Sequence, residues 1–323
     1  MPILRRGFRA GGLSAVARQV KSRASPRVVW RFSDGKAGHD NQSQGLADAL
    51  NRLRPVEIIT LDPLPAVMAL SALWGGQRAL WRNIPAPGIV LGAGHRTHLS
   101  LLAARRMRGG KAIVLMRPSL PLCLFDLCLI PAHDAPPARP NVQVTRGALN
   151  RIQPSSHLEP GRGLLLIGGP SAHFTWDNLS LYRQIAAIIA ADPAIHWTLT
   201  TSRRTPQNFL QHLACAERLT VIPITETGPD WLPAQLARAG QAWVTADSVS
   251  MVYEALTAGA AVGVLEVPSR RMNRVTQGLT RLAAEGWVTF FTDWPRDCRL
   301  HRPSGIFNEA ERCARWIIER WFA

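Results

Sequence analysis

Four loops of this 323-residue chain hold more polar chemistry than a turn requires. The first, Ser33-Asp-Gly-Lys-Ala-Gly-His39-Asp-Asn-Gln-Ser43, separates an apolar run ending at Phe32 from a helical pattern beginning at Gly45. Its glycines let the backbone approach a ligand, and amides at a helix start attract anions. Asp34, Lys36, His39, Asp40 and Asn41 crowd into this one segment, so a functional loop is favoured over a plain turn. Asp34 or His39 is the candidate for deprotonating an acceptor hydroxyl. Imidazole titrates near neutrality, whereas a carboxylate needs its pKa tuned or acts by orienting the acceptor. The plainer alternative for His39 is a hydrogen-bonding loop residue. No G-x-G-x-x-G dinucleotide fingerprint is present.

The other three loops fall in the second half. Gly168 and Gly169, followed by Ser171, leave an apolar run at Ile167, where two glycines admit a phosphate or sugar but also suit an ordinary turn. Thr201, Ser202 and Arg203, with Arg204, precede a helical pattern; hydroxyls and a bidentate guanidinium suit a diphosphate, and a solvated basic turn is the competing reading. The segment Thr245-Ala-Asp247-Ser248-Val-Ser250-Met-Val-Tyr-Glu254 is the most specific. Ser248 is placed to cap a helix and leave neighbouring amides for phosphate. Glu254, within the first two turns, can accept two hydrogen bonds from a ribose diol, or serve as a helix-dipole partner or salt bridge.

These loops need strands and helices to hold them. Strands are expected at 28–33, 56–61, 88–91, 112–116 and 127–130, then at 164–167, 196–200, 219–224, 242–245, 261–267 and 287–291. Helical patterns lie between them: 45–53, 65–82 and 97–108, then 179–191, 206–216, 231–239, 249–258 and 274–285. A last helix at 309–322 carries Asn308 as N-cap with Glu311 three residues on. Such alternation implies parallel sheets wound by right-handed crossovers. The stretch Gln153–Gly163 reads as an interdomain linker. The expected fold is α/β, with two Rossmann-like doubly wound domains facing a cleft. The acceptor-side domain spans 26–155, the nucleotide-sugar domain 156–305, and the closing helix 306–323 packs back on the first domain. Ligands in such folds sit beyond the carboxyl ends of the strands.

Composition narrows the partners. Hydrophobic residues make up 46% and charged residues 19%, which fits a packed globular chain. No apolar run is long enough to cross a bilayer. The net charge of +16 favours anionic partners: nucleic acid, acidic lipid or phosphorylated substrates. Residues 1–25 form a basic leader with no acidic residue before Asp34, for which three readings stand: a membrane-surface segment, an organelle transit peptide or a solvated tail. Nucleic acid is disfavoured, because no recognition helix or aromatic platform is visible. The five cysteines show no metal-ligand spacing, and Cys123 and Cys128 read as small core residues in a reducing compartment. His95 and His98 are too weak a pair for a metal site.

The segments SDGKAGHDNQSQGLADAL, FDLCLIPAHD, VTRGALNRI, LIGGPSAHFTWD, LTTSRRTP and VTADSVSMVYEA resemble the bacterial and plant family of mitochondrial fission factors and glycosyltransferase-like proteins, the elongated-mitochondria proteins. They run from about Trp30 to Glu266. More distantly, VTADSVSMVYEAL is similar to the loop and helix of GT-B transferases such as the lipid-II-forming N-acetylglucosaminyltransferase. That resemblance implies that Glu254 holds the nucleotide ribose and that Gly168–Gly169 is a phosphate-side loop. The glycine-rich GTGGH loop of that enzyme is DGKAGH here, which implies different acceptor binding.

The expectation is therefore a metal-independent, inverting, hexosyltransferase-like enzyme. It would use a UDP- or other nucleoside-diphosphate sugar and no further cofactor, and a lipid-linked or envelope glycan acceptor. Its expected place is the cytoplasm, peripheral to the inner face of a membrane. Two competitors stand beside it: a non-enzymatic membrane-associated scaffold, and a sugar-nucleotide epimerase or hydrolase on the same fold.

Overall fold

The computed structural model describes residues 28–77, 79–213, 217–270, 274–296 and 299–322. The basic leader, Cys215 and Cys298 lie outside the described residues. Two six-stranded parallel sheets carry the chain. The first holds β1 (Val28–Phe32), β2 (Glu57–Leu61), β3 (Ile89–Ala93), β4 (Lys111–Leu115), β5 (Leu127–Pro131) and β6 (Val142–Thr145) in the order β2-β1-β3-β4-β5-β6. The second holds β7 (Glu159–Leu166), β8 (His196–Thr200), β9 (Leu219–Ile222), β10 (Ala239–Thr245), β11 (Ala261–Leu265) and β12 (Val288–Phe290) in the order β12-β11-β10-β7-β8-β9. The two doubly wound domains expected from the alternating pattern are present.

The first sheet sorts its side chains by the two-residue period of a strand. Val29, Leu91, Ile113 and Leu129 point toward α1 (Ala37–Leu53) and the closing helix α8 (Glu309–Trp321), where Leu46, Leu50, Cys313 and Ile317 meet them. Trp30, Val90, Val114 and Ile130 point the other way, toward Leu101 and Ala104 of α3 (His98–Arg108). A sheet covered on both faces needs apolar residues at successive positions, and β3 and β5 are buried throughout. In the second sheet, cross-strand pairs Gly163–Trp197 and Gly263–Trp243 set a glycine against each indole. A Cβ at either glycine would fall within 2.3 Å of ring carbons, so the missing side chain makes the space the tryptophan fills.

Several boundaries differ from expectation. α1 begins at Ala37 rather than Gly45, which puts His39 and Asn41 on a helix instead of a loop. The second helix, α2 (Ala66–Leu73), is eight residues and stops before the Gly75–Gly76 pair; beyond it Trp81 lies against Trp30 and Phe32. Gln207–His212 is a 3-10 turn rather than an α-helix. β7 begins at Glu159, inside the expected linker, and β6 was not expected at all. Cys128 is buried but Cys123 is exposed, contrary to its reading as a core residue. Among the described residues no helix is long and apolar enough to cross a membrane.

Candidate functional site

In each sheet the chain reverses direction beside its first strand, and the crevice lies where strand order changes sides. In the first sheet this point is between β1 and β3; in the second it is between β7 and β10. Both crevices hold a polar cluster.

In the first crevice, His39 Nδ1 lies 2.9 Å from Asp34 Oδ2 and 3.1 Å from Oδ1. The Asp34 side chain is fully enclosed. Burial alone would raise its pKa, but hydrogen bonds from His39 and the Lys36 amide, with the charges of both residues, hold it below the usual carboxylate range. An ionised Asp34 can only accept, so Nδ1 carries a ring proton, and whenever the ring is neutral Nε2 is the nitrogen with the lone pair. Two residues entertained as alternatives thus form one dyad. Gly94, past the end of β3, closes the site from the far side. Its φ is +84°, and a Cβ there would lie 2.3 Å from His39 Nδ1. The dyad's helix is pinned by Arg31, whose Nη1 reaches Asp40 Oδ1 at 3.0 Å and Ser43 Oγ at 3.1 Å.

In the second crevice the loops meet, but not as a vacant phosphate cradle. The Gly168 amide donates to Thr245 Oγ1 at 2.7 Å, and the Gly169 amide donates to Asp247 Oδ2 at 2.9 Å. Both amides expected to hold a diphosphate are therefore already engaged. Asp247, its side chain fully enclosed, also accepts from Arg204 Nη2 at 2.7 Å, while Arg204 Nη1 reaches Gly169 O at 2.6 Å. The arginine built into the cluster is Arg204. Arg203 is exposed and has no ion-pair partner among the described residues, which leaves it the available cation of the pair. Asp247 Oδ1 and Thr200 Oγ1 are buried without a partner at this same edge.

The remaining candidates divide. Thr201 Oγ1 accepts from the Ile224 amide and so ties its loop to the segment after β9, whereas Ser202 Oγ accepts from the Arg204 amide within its own loop. Ser171 Oγ likewise accepts from the His173 amide. Ser248 occupies the N-cap position of α6 (Val249–Ala258) and is buried, yet its side chain makes no capping hydrogen bond, contrary to expectation. Ser250 is exposed on the first turn of α6.

Glu254 lies apart from this cluster. It faces the first domain, where Asn41 Nδ2 donates to its Oε1 at 2.6 Å. Burial pushes its pKa up to about 7, against the opposing effect of the Asn41 hydrogen bond. The neighbouring α6 residues make the same crossing: Asn150 Nδ2 donates to Thr257 Oγ1 at 3.0 Å, and Gly147 lies under the Tyr253 ring. Glu254, Asn41, Arg31, Gln44, Arg151 and Asp230 line a cavity of about 600 Å³ between the domains. None of the glycine-loop residues lines that cavity. Sequence reasoning passed over Asn41 as a partner and Gly94 altogether. The pair Gly92–Gly94, leaving a buried strand as Gly168–Gly169 does, was the available signal. Among the described residues no three His, Cys, Asp or Glu side chains gather to hold a metal ion.

The fold is shared with several solved structures. A Listeria monocytogenes structure assigned as a UDP-N-acetylglucosamine 2-epimerase matches with a TM-score of 0.58 at 14% identity, covering 92% of this chain and 97% of that one. The Neisseria meningitidis UDP-GlcNAc 2-epimerase, solved bound to UDP-GlcNAc, matches at 0.52 and 11% identity over 90% and 99%. The glycotransferase of kitacinnamycin matches at 0.51 and 14% identity over 92% and 100%. An uncharacterized protein of Rickettsia prowazekii is 24% identical over 297 residues, covering 75% of this chain and 84% of that protein. The model of the family described as mitochondrial fission ELM1 matches residues 37–321, and the chain belongs to that family.

Proposed function

We propose that this chain is a glycosyltransferase that moves a sugar from a nucleoside-diphosphate donor to a lipid-linked or envelope glycan hydroxyl. The observation that carries the reading is the Asp34–His39 dyad at the switch point of the first sheet. His39 Nε2 takes the acceptor proton as the hydroxyl attacks the anomeric carbon, and Asp34 holds the tautomer and stabilises the imidazolium that forms. The sugar–phosphate bond breaks on the opposite side, and the nucleoside diphosphate leaves with the bonding electron pair.

The donor faces the second domain. Arg203 and the positive end of the α6 dipole meet the developing negative charge, and Glu254 accepts from the ribose hydroxyls. The Gly168 amide is assigned to Thr245 and the Gly169 amide to Asp247, and neither to the diphosphate. A nucleotide sugar is the expected partner, with no metal in the transfer step. The place of action is the cytoplasmic side of a membrane, reached peripherally.

The test is release of nucleoside diphosphate from a panel of nucleotide sugars, with and without a membrane lipid extract as acceptor source. Release that depends on the extract and is lost in His39→Asn supports transfer. Donor conversion that needs no extract favours the epimerase or hydrolase alternative. No conversion by a folded protein favours the scaffold.

A further inference from the structure

Helix α2 exposes an apolar stripe. Val67, Leu70 and Trp74 are 80%, 47% and 90% exposed, and their spacing of three and four residues places them on one helical face. The opposite face, Ala69 and Ala72, is buried against α3. Isolated exposed hydrophobics need no explanation, but a contiguous stripe on a short helix marks a contact surface.

The charge around the stripe indicates what it contacts. No acidic residue occurs between Asp62 and Asp126, while that stretch carries eight Lys and Arg. Arg82 in the turn after α2, Arg96 before α3 and Arg106 on α3 are exposed and have no ion-pair partner among the described residues. The two that are paired, Arg105 and Lys111, share Asp126. A second copy of this chain would bring like charge against like across a two-fold interface. The basic leader would meet the same repulsion. An anionic bilayer answers both features: acidic headgroups meet the arginines, while valine, leucine and an interfacial tryptophan enter the acyl boundary.

We infer that the exposed face of α2, together with the exposed arginines Arg82, Arg96 and Arg106 of the segments that follow it, docks the protein on an anionic lipid surface. This deepens the peripheral location in the proposed function, and it also sets the cleft relative to the lipid. β2 ends five residues before α2, and its last carbonyl, Leu61 O, accepts from the Ser33 amide at 3.0 Å, beside Asp34. Docking through α2 therefore holds the dyad edge of the sheet close to the membrane, where a lipid-linked hydroxyl is found.

The experiment is vesicle flotation of the full chain, without nucleotide, on phosphatidylcholine alone and with a third of the lipid as phosphatidylglycerol. The native protein is expected to float with the anionic vesicles and to release as salt rises. The variant Val67→Glu/Leu70→Glu/Trp74→Glu, at exposed positions, is expected to keep its melting temperature and lose binding roughly tenfold or more. Arg82→Glu/Arg106→Glu is expected to lose binding while leaving the apolar stripe intact. Undiminished flotation in both variants would overturn the inference and assign membrane contact to another segment. A native dimer made monomeric by the helix substitutions, with no flotation, would overturn it in favour of a copy interface. Nucleotide-sugar stabilisation of the helix variant is read separately, so failure of docking and failure of sugar transfer are distinguishable.

Discussion

The 2.6 Å hydrogen bond from Asn41 Nδ2 to Glu254 Oε1 ties the helix of the dyad to the helix that begins at the second switch point. The other end of the same amide, Asn41 Oδ1, accepts from the Arg151 amide, so the two bonds together fix the orientation of the amide, and a flipped amide would lose both. In the proposed function the ribose diol displaces Asn41 from Glu254, which links donor binding to separation of the two domains at this point. Asn41→Ala should then weaken the domain contact while freeing Glu254. The expected result is tighter nucleotide binding, by calorimetry, together with a lower melting temperature.

The dyad assigns different roles to its two members. His39→Asn removes the base, and Asp34→Asn lets the new amide donate to Nδ1, forcing the proton onto Nε2. Each change should lower turnover about 10²–10⁴-fold with the donor dissociation constant little changed, measured by diphosphate release and calorimetry. A loss of donor affinity equal to the loss in turnover would reassign the pair to binding.

Gly94 and Gly168 should tolerate no side chain, each because of a named neighbour. A Cβ at Gly94 would meet His39 Nδ1 at 2.3 Å on a backbone at φ +84°, and one at Gly168 would meet Asp247 Oδ2 at 2.3 Å. Gly94→Ala is expected to cost about 1–3 kcal/mol by thermal unfolding and to displace the dyad. Gly168→Ala should cost a similar amount yet leave the His39 ring in place, which the imidazole proton resonances would show.

Much of this was legible beforehand and some was not, for local reasons. Strand positions and the Asn308 cap could be read because buried parallel strands and capping boxes write themselves into consecutive residues. The start of α1 could not. Gly38, His39, Asp40, Asn41 and Ser43 are poor helix formers, and the helix is held there by Arg31, one strand away in sequence. β6 was missed because Val142–Thr145 is a four-residue edge strand without an apolar run. The choice between Arg203 and Arg204 rests on which guanidinium reaches Asp247, and adjacent positions in a turn do not reveal it. Removing Arg204 leaves Asp247 buried without its cation, so Arg204→Gln is expected to destabilise by about 1–3 kcal/mol. Arg203→Gln should leave stability unchanged and weaken nucleotide binding.

Glu254 gives a pH signature. Its pKa is raised by burial to about 7 in the folded state, from 4.5 as the reference for the unfolded chain. The native state therefore holds a proton that the unfolded state has released between these values. Stability from this group falls as pH rises from about 4.5 to about 7 and is flat above. Glu254→Gln keeps an acceptor for Asn41 without the charge. It should melt higher than the native protein at pH 8, by on the order of 1–2 kcal/mol after solvent screening, with the gap closing near pH 4. Thermal unfolding across this range checks the sign.

The most direct measurement of the central claim is calorimetric binding of nucleotide sugars and free nucleotides to the full chain, with Glu254→Ala and Arg203→Gln alongside. A ligand that binds only the folded state also raises the melting temperature by mass action, which supplies an independent readout. The account predicts that one nucleotide class binds and that both substitutions weaken it. Absence of binding by every member at millimolar concentration, with the protein shown to be folded, would contradict it.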